Sequence, residues 1–166
     1  MKSCIAGILV SLFFHAGALS AQNEKILRIA FHPVFGSSEL VFGKSFFSKS
    51  INDSIQIEVL RFYISEIELM EKGKSVWDEQ NSFHLVDGEL TNSLTIALKI
   101  PGTLAYDKLK FNIGIDSITN VSGAMGGDLD PTKGMYWTWQ SGYINFKLEG
   151  KSKACNTRNN EFTFHL

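Results

Sequence analysis

Apolar and polar residues alternate with a period of two in stretch after stretch of this chain. Ile55, Ile57 and Val59 alternate with Gln56, Glu58 and Leu60, and Leu94, Ile96, Leu98 and Ile100 alternate with Thr95, Ala97 and Lys99. The pattern recurs at Leu109, Phe111, Ile113 and Ile115, and again at Ile144, Phe146 and Leu148. Successive side chains of a strand point to opposite faces, so this period buries one face and wets the other, as an antiparallel sheet requires. Further strands are predicted over 26–31, 61–70, 83–86 and 161–166. Residues 65–71 are compatible with a helical turn, but the aromatic and β-branched run Phe62-Tyr63-Ile64 favours a strand. Turns are predicted at Lys72-Gly73-Lys74, Asp87-Gly88, Pro101-Gly102 and Glu149-Gly150.

The expected fold is therefore all-β, an antiparallel β-sandwich of short strands. One stretch lacks any pattern: a glycine-rich loop over about 116–134, with Gly123, Gly126, Gly127 and Gly134. A loop of that length inside a small domain is usually functional or disordered. No linker or internal repeat divides the remainder.

The start of the chain follows another logic. Met1-Lys2-Ser3 is cationic, residues 4–19 are apolar, and Leu19-Ser20-Ala21 places small residues before the polar Gln22-Asn23-Glu24-Lys25. This is the anatomy of a secretory signal peptide cleaved after Ala21 rather than of a membrane anchor. Residues 22–166 then form the mature domain, periplasmic or secreted and without a membrane span. Cleavage removes one lysine and no acid, leaving 15 basic against 17 acidic residues. Such a balance argues against a nucleic-acid partner, which calls for a strongly basic face. Cys155 alone among cysteines survives cleavage, so it is a free thiol, an intermolecular partner, or a residue whose mate lies outside this chain. The chain stops at Leu166 inside an apparent strand, which fits either an edge strand or a truncated chain.

No nucleophile elbow, phosphate loop, dinucleotide fingerprint or His-Glu-x-x-His helix is present. Asp128-Leu129-Asp130-Pro131 begins like a calcium loop, but Thr132 and Lys133 replace the next acid and glycine, leaving an Asp-rich proline turn. The unusual constellation is Met135-Tyr136-Trp137-Thr138-Trp139-Gln140-Ser141-Gly142-Tyr143. On a strand, Trp137 and Trp139 point to one face. Core filling is the commoner use of such rings; a stacking platform for sugars and a redox-active aromatic pair are the alternatives.

Residues 116–121, 128–131 and 134–143 together strongly resemble the MbnP-like copper-binding protein family, associated with methanobactin operons. Arg61-Phe62-Tyr63-Ile64-Ser65-Glu66-Ile67-Glu68-Leu69 resembles its other signature, and Phe83-His84-Leu85-Val86-Asp87 fits the segment between. The resemblance covers nearly all of 22–166 in the family's order. Family members run on past a strand matching 162–166, which favours truncation.

The resemblance implies an exported, non-enzymatic β-rich protein that binds copper, with Cu(I) favoured. It also implies a MauG-like dihaem partner that oxidises a tryptophan to kynurenine, whose amine joins histidine imidazoles as a copper ligand. Imidazole suits copper, and an aromatic enclosure protects low-coordinate Cu(I). Carried onto this chain, His32 and His165 are the expected metal ligands, each at a strand end. Trp137 and Trp139 are the candidates for oxidation, with Tyr143 in the same aromatic site. His84, Met125, Met135 and Trp77 rank lower: His84 as a structural residue, the methionines as soft but commonly core-packing thioethers. Asn120-Val121 stands where some members carry a histidine. The alternative from another class is a non-enzymatic carbohydrate-binding or adhesion module presenting Trp137, Trp139 and Tyr143 as an exposed plane. Without a convincing acid–base or nucleophile–base pair, an enzyme is the least supported class.

Overall fold

The computed structural model describes residues 23–137 and 142–166. The chain is mostly β, with antiparallel sheets, as the alternation predicts. Its strands are β1 (Glu24–Ala30), β2 (Val34–Phe35), β3 (Ser38–Glu39), β4 (Ser45–Ser48), β5 (Asp53–Glu71), β6 (Lys74–Asp78), β7 (Phe83–Asp87), β8 (Thr95–Pro101) and β9 (Lys108–Ile113). A short helix, α1 (Ser117–Val121), precedes β10 (Tyr136–Trp137), β11 (Gly142–Tyr143), β12 (Phe146–Ser152) and β13 (Glu161–His165).

The two stretches read as separate strands, 55–60 and 61–70, are one 19-residue strand, β5. Six other strands assemble on it or on its partner. Gln56 pairs with both Ser45 and Lys151, Phe62 with both Val86 and Phe146, and Leu69 with both Trp77 and Leu109. One edge of β5 therefore carries β4, β7 and β6 in succession, and the other carries β12 and then β9. β13 extends the sheet beyond β12.

A bulge keeps this long strand useful. Glu66 has φ of 51°, and the pairing with β9 shifts between Ser65 and Glu68. Strict alternation from Phe62 and Ile64 would turn Ile67 and Leu69 to the wrong face. The extra residue resets the phase by one, so Ile64, Ile67 and Leu69 all enter the same core. Over that face lies a two-stranded ribbon of β1 and β8, in register from Glu24↔Pro101 to Ala30↔Thr95. Ile96, Leu98 and Ile100 of β8 are buried there, with Leu27, Ile29 and Phe31 of β1 packed beside them. The opposite face carries a second core of Tyr63, Leu129, Met135, Tyr143 and Ile144, built mainly from the segment between β9 and β12.

Three expectations need correction. Glu149-Gly150 is not a turn but a bulge inside β12, where the pairing with β5 slips. An added Cβ at Gly150 would meet the Gln56 carbonyl oxygen at 2.1 Å and the Phe162 ring at 2.7 Å, so only glycine fits. The stretch 116–134 is not structureless: α1 is followed by 3-10 turns at Gly127–Leu129 and Pro131–Lys133. β9 forms where the alternation predicts a strand, but its apolar residues are not buried: Leu109, Phe111 and Ile113 are 36%, 37% and 63% exposed. Among the described residues no helix is long and apolar enough to cross a membrane.

Candidate metal centre

The glycine-rich segment forms a cap on the large sheet, and local polar bonds fix its course. Asp116 caps α1, its carboxylate accepting from the Thr119 amide at 2.9 Å and the Thr119 hydroxyl at 2.6 Å. Those bonds hold the Asp116 carboxyl below its ordinary range. Asp130 does the same for the turn at Pro131–Lys133, accepting from the Thr132 amide and hydroxyl, which lower its pKa. Asp128 joins cap to sheet: one oxygen accepts from the Leu85 amide at 3.0 Å and the other from Lys133 Nζ at 2.6 Å. The Asp-rich run is thus a turn and a clamp.

Two cations of the sheet hold the end of the cap. Arg61 donates from its guanidinium to the Lys133 carbonyl at 3.2 Å, while its Nε donates to Asp87 Oδ2 at 2.7 Å. Lys147 Nζ donates to the Gly134 carbonyl at 3.2 Å. Gly134 itself has φ of 72°, a left-handed conformation that favours glycine and ends the turn. The chain is thereby delivered into Met135, which is fully buried, and into the β10–β11 pair, in which Tyr136 faces Tyr143 and Trp137 faces Gly142.

Trp137 lies against His165. The ring centroids are 5.2 Å apart with the planes tilted at 53°. Register explains why His165 is there: it pairs with Lys147, which in turn pairs with Arg61, and all three side chains stand on the cap face. Glu149, diagonal to His165 across the two strands, places Oε1 2.7 Å from His165 Nε2. Lys147 Nζ is 3.5 Å from that same oxygen. His165, Glu149, Lys147 and Trp137 make one cluster at the rim of the second core.

The structure does not bring His32 into it. Phe31 packs its ring edge-on to Phe62 on the ribbon side, and exposed His32 follows it in that outer layer. The large sheet separates it from His165, so the two expected ligands do not meet. His84 is engaged elsewhere, with Nε2 2.8 Å from Glu79 Oε2. Trp77 packs against the core under the ribbon. Met135 is enclosed by apolar neighbours, whereas Met125 is half exposed and its amide donates to the Tyr143 hydroxyl at 2.8 Å. Trp139 lies outside the described residues.

Tyr143 offers no flat face to a sugar. It is 3% exposed, its ring stands edge-on to Tyr136 and Tyr63, and its hydroxyl donates to the Leu129 carbonyl at 2.9 Å. Burial raises its pKa, and burial pushes the Tyr63 phenol up further, so both hydroxyls stay protonated.

Among the described residues no three His, Cys, Asp or Glu side chains converge to hold a metal ion. The chemistry present is a single imidazole, one ring nitrogen of which is bonded to a carboxylate, set beside an indole. An indole N–H donates and has no lone pair to offer a metal. The sequence reading assigns Glu149 to a turn and gives neither Lys147 nor Glu149 a part in the site. The available signal was their alternation with Phe146 and Leu148, which puts both charges on one face beside the late histidine.

Comparison with known proteins speaks to family and fold. The model of the MbnP family matches residues 24–166. No curated protein matches the chain. Among solved structures, MbnP from Methylosinus trichosporium superposes with a TM-score of 0.64 at 19% identity, covering 86% of this chain and 62% of that one. At that identity the likeness concerns the fold, and this chain spans less than two-thirds of the other's length.

Proposed function

Since the chain belongs to the MbnP family, we propose that it is an exported, non-enzymatic copper-binding protein whose site forms around His165 once Trp137 has been oxidised to kynurenine. The observation that carries this reading is the 5.2 Å contact between the Trp137 and His165 rings. His165 supplies one soft-metal nitrogen. Cleaving the indole C2–C3 bond takes two waters, which supply the oxygens, and releases four protons and four electrons, the electrons passing to the dihaem partner. Hydrolysis then removes C2 as formate and leaves kynurenine, whose aromatic amine adds a second nitrogen donor where the unmodified side chain has none. Bound there, copper would be held as Cu(I), which favours few, soft or imidazole-type ligands.

Several features support maturation at this position. Trp137 sits at the rim of the second core, partly exposed and within reach of an oxidising partner, while Tyr63 and Tyr143 behind it are buried. A MauG-like dihaem enzyme is the partner this chemistry calls for, since it withdraws electrons through a protein surface. The leader over residues 1–21 directs the chain to the periplasm or beyond, where residues 22–166 meet that enzyme. His32, on the far side of the sheet, is left out of the proposed site.

The test is a Cu(I) titration against a competing chelator, using full-length chain exported in cells that co-express a dihaem maturation enzyme. Intact mass of the same preparation reads kynurenine formation. We expect saturable binding that His165→Ala and Trp137→Phe each abolish and that His32→Ala leaves intact. Binding that survives both His165→Ala and Trp137→Phe would overturn the proposal.

A further inference from the structure

We propose that the free edge of β9 is a homodimer interface, where the strand pairs antiparallel with β9 of a second copy of this chain in a register centred on Phe111. The inference goes beyond the copper reading and does not depend on it. β9 pairs with β5 along one edge, and among the described residues no strand lies along the other. Leu109 pairs with Leu69 and Ile113 with Ile64, so Leu109, Phe111 and Ile113 share the face of the ribbon core. All three are nevertheless exposed. The bulge in this pairing belongs to β5, so β9 itself is regular, and it holds no proline. An apolar, regular strand with an open edge is a template for strand pairing.

Self-complementarity, in apolar pattern and in charge, points to a second copy as the occupant. With Phe111 opposite Phe111 of the second copy, Leu109 falls opposite Ile113 and Ile113 opposite Leu109, apolar against apolar along one face. On the other face Lys110 falls opposite Asn112 and Lys108 opposite Gly114, so no like charges meet. Asn112 Nδ2 donates to Glu66 Oε2, while Lys110 Nζ donates to Glu68 Oε2 at 2.9 Å. Each lysine therefore approaches an amide backed by a carboxylate of the second copy. A slip of one residue would set Phe111 against Lys110 or Asn112 and turn the two apolar stripes to opposite faces. A surface complementary to itself closes into a twofold dimer. The axis runs through the Phe111 pair, normal to the sheet, so both ribbons lie on one side and both caps on the other. The two Trp137–His165 contacts then stand on the same side of one continuous sheet.

Sedimentation equilibrium on the exported full chain, without metal, reads the association directly. We expect a monomer–dimer equilibrium in the wild type. Phe111→Asp brings two carboxylates face to face and should weaken association about 100-fold or more, with the far-UV circular dichroism unchanged. Cysteine pairs then read the register, in a Cys155→Ser background with oxidised glutathione as the electron acceptor. Directly opposite Cα atoms of antiparallel strands lie about 4.5–5.5 Å apart, within disulfide reach. Phe111→Cys should therefore cross-link to itself. Leu109→Cys should not, but should cross-link to Ile113→Cys when the two chains are mixed. A wild-type chain that stays monomeric at millimolar concentration would overturn the inference and leave the edge to a strand of a different protein. A dimer that Phe111→Asp leaves intact, or one in which Leu109→Cys rather than Phe111→Cys cross-links to itself, would overturn it equally. None of these outcomes changes with copper binding, so the two readings fail separately.

Discussion

Phe62 and Tyr63, adjacent in β5, bury their rings in two different cores on opposite faces of the large sheet. Phe62 packs under the ribbon against Phe31, and Tyr63 packs under the cap against Tyr143. One strand thereby serves both layers. Tyr63→Ala should cost about 3–5 kcal/mol and speed amide exchange in the cap, at 123–135. Phe62→Ala should loosen the ribbon and leave the cap protected. Urea unfolding with residue-resolved hydrogen exchange checks both, and identical exchange patterns would contradict the division into two cores.

Gly150 is irreplaceable for a steric reason. Its Cβ position is occupied by the Gln56 carbonyl and the Phe162 ring. Gly150→Ala should destabilise by about 1–3 kcal/mol or more, as overpacking does, and should disturb the β12–β13 pairing that carries Glu149 and His165. Chemical denaturation measures the first effect, and the His165 ring resonances report the second.

Asp87 is a buried carboxylate, 5% exposed, whose charge partner is Arg61. Arg61→Met removes that partner and one anchor of the cap. The expected loss is about 1.5–3 kcal/mol, the range for a hydrogen bond to a charged group. Adding Asp87→Asn should recover part of it, because the lone buried charge is then gone. A double-mutant cycle with no coupling would show that the pair does not hold the cap.

Acid should weaken the cap. Asp116 and Asp130 are held below their ordinary pKa, chiefly by the hydroxyls of Thr119 and Thr132. Their folded-state pKa values lie below those of the unfolded chain. The stability they contribute is therefore fully present above the ordinary carboxylate range, about pH 4, and is lost as pH falls through the depressed folded values. Asp116→Asn keeps a capping oxygen but cannot titrate, so melting temperature should fall less steeply with acid than in the wild type. Equal slopes would contradict this.

Much of the fold was legible because alternation reports burial directly: Ile96, Leu98 and Ile100, picked out by their period, are buried. Even the bulge leaves a trace, since the apolar phase slips between Ile64 and Ile67. The cap was not legible. Its order comes from side chain to backbone bonds across many residues, such as Asn120 Oδ1 accepting from the Tyr143 amide at 2.6 Å, and those carry no periodicity. His165 stood out by residue type and place, but its partner Glu149 depends on cross-strand register. His32 shows the same limit from the other side. Two histidines at strand ends look equivalent until the faces of the sheet are assigned.

The spine strand also orders events in time. β5 meets β6 through the short turn at Lys72-Gly73, a closure that costs little chain entropy, and β7 follows soon after. β12 must return across 84 positions to pair Phe146 with Phe62, and β13 can add only after it. Long closures are slow and come after local ones. Glu149 and His165 both ride on those late strands, so the chain acquires its hairpins first and its imidazole–carboxylate pair last.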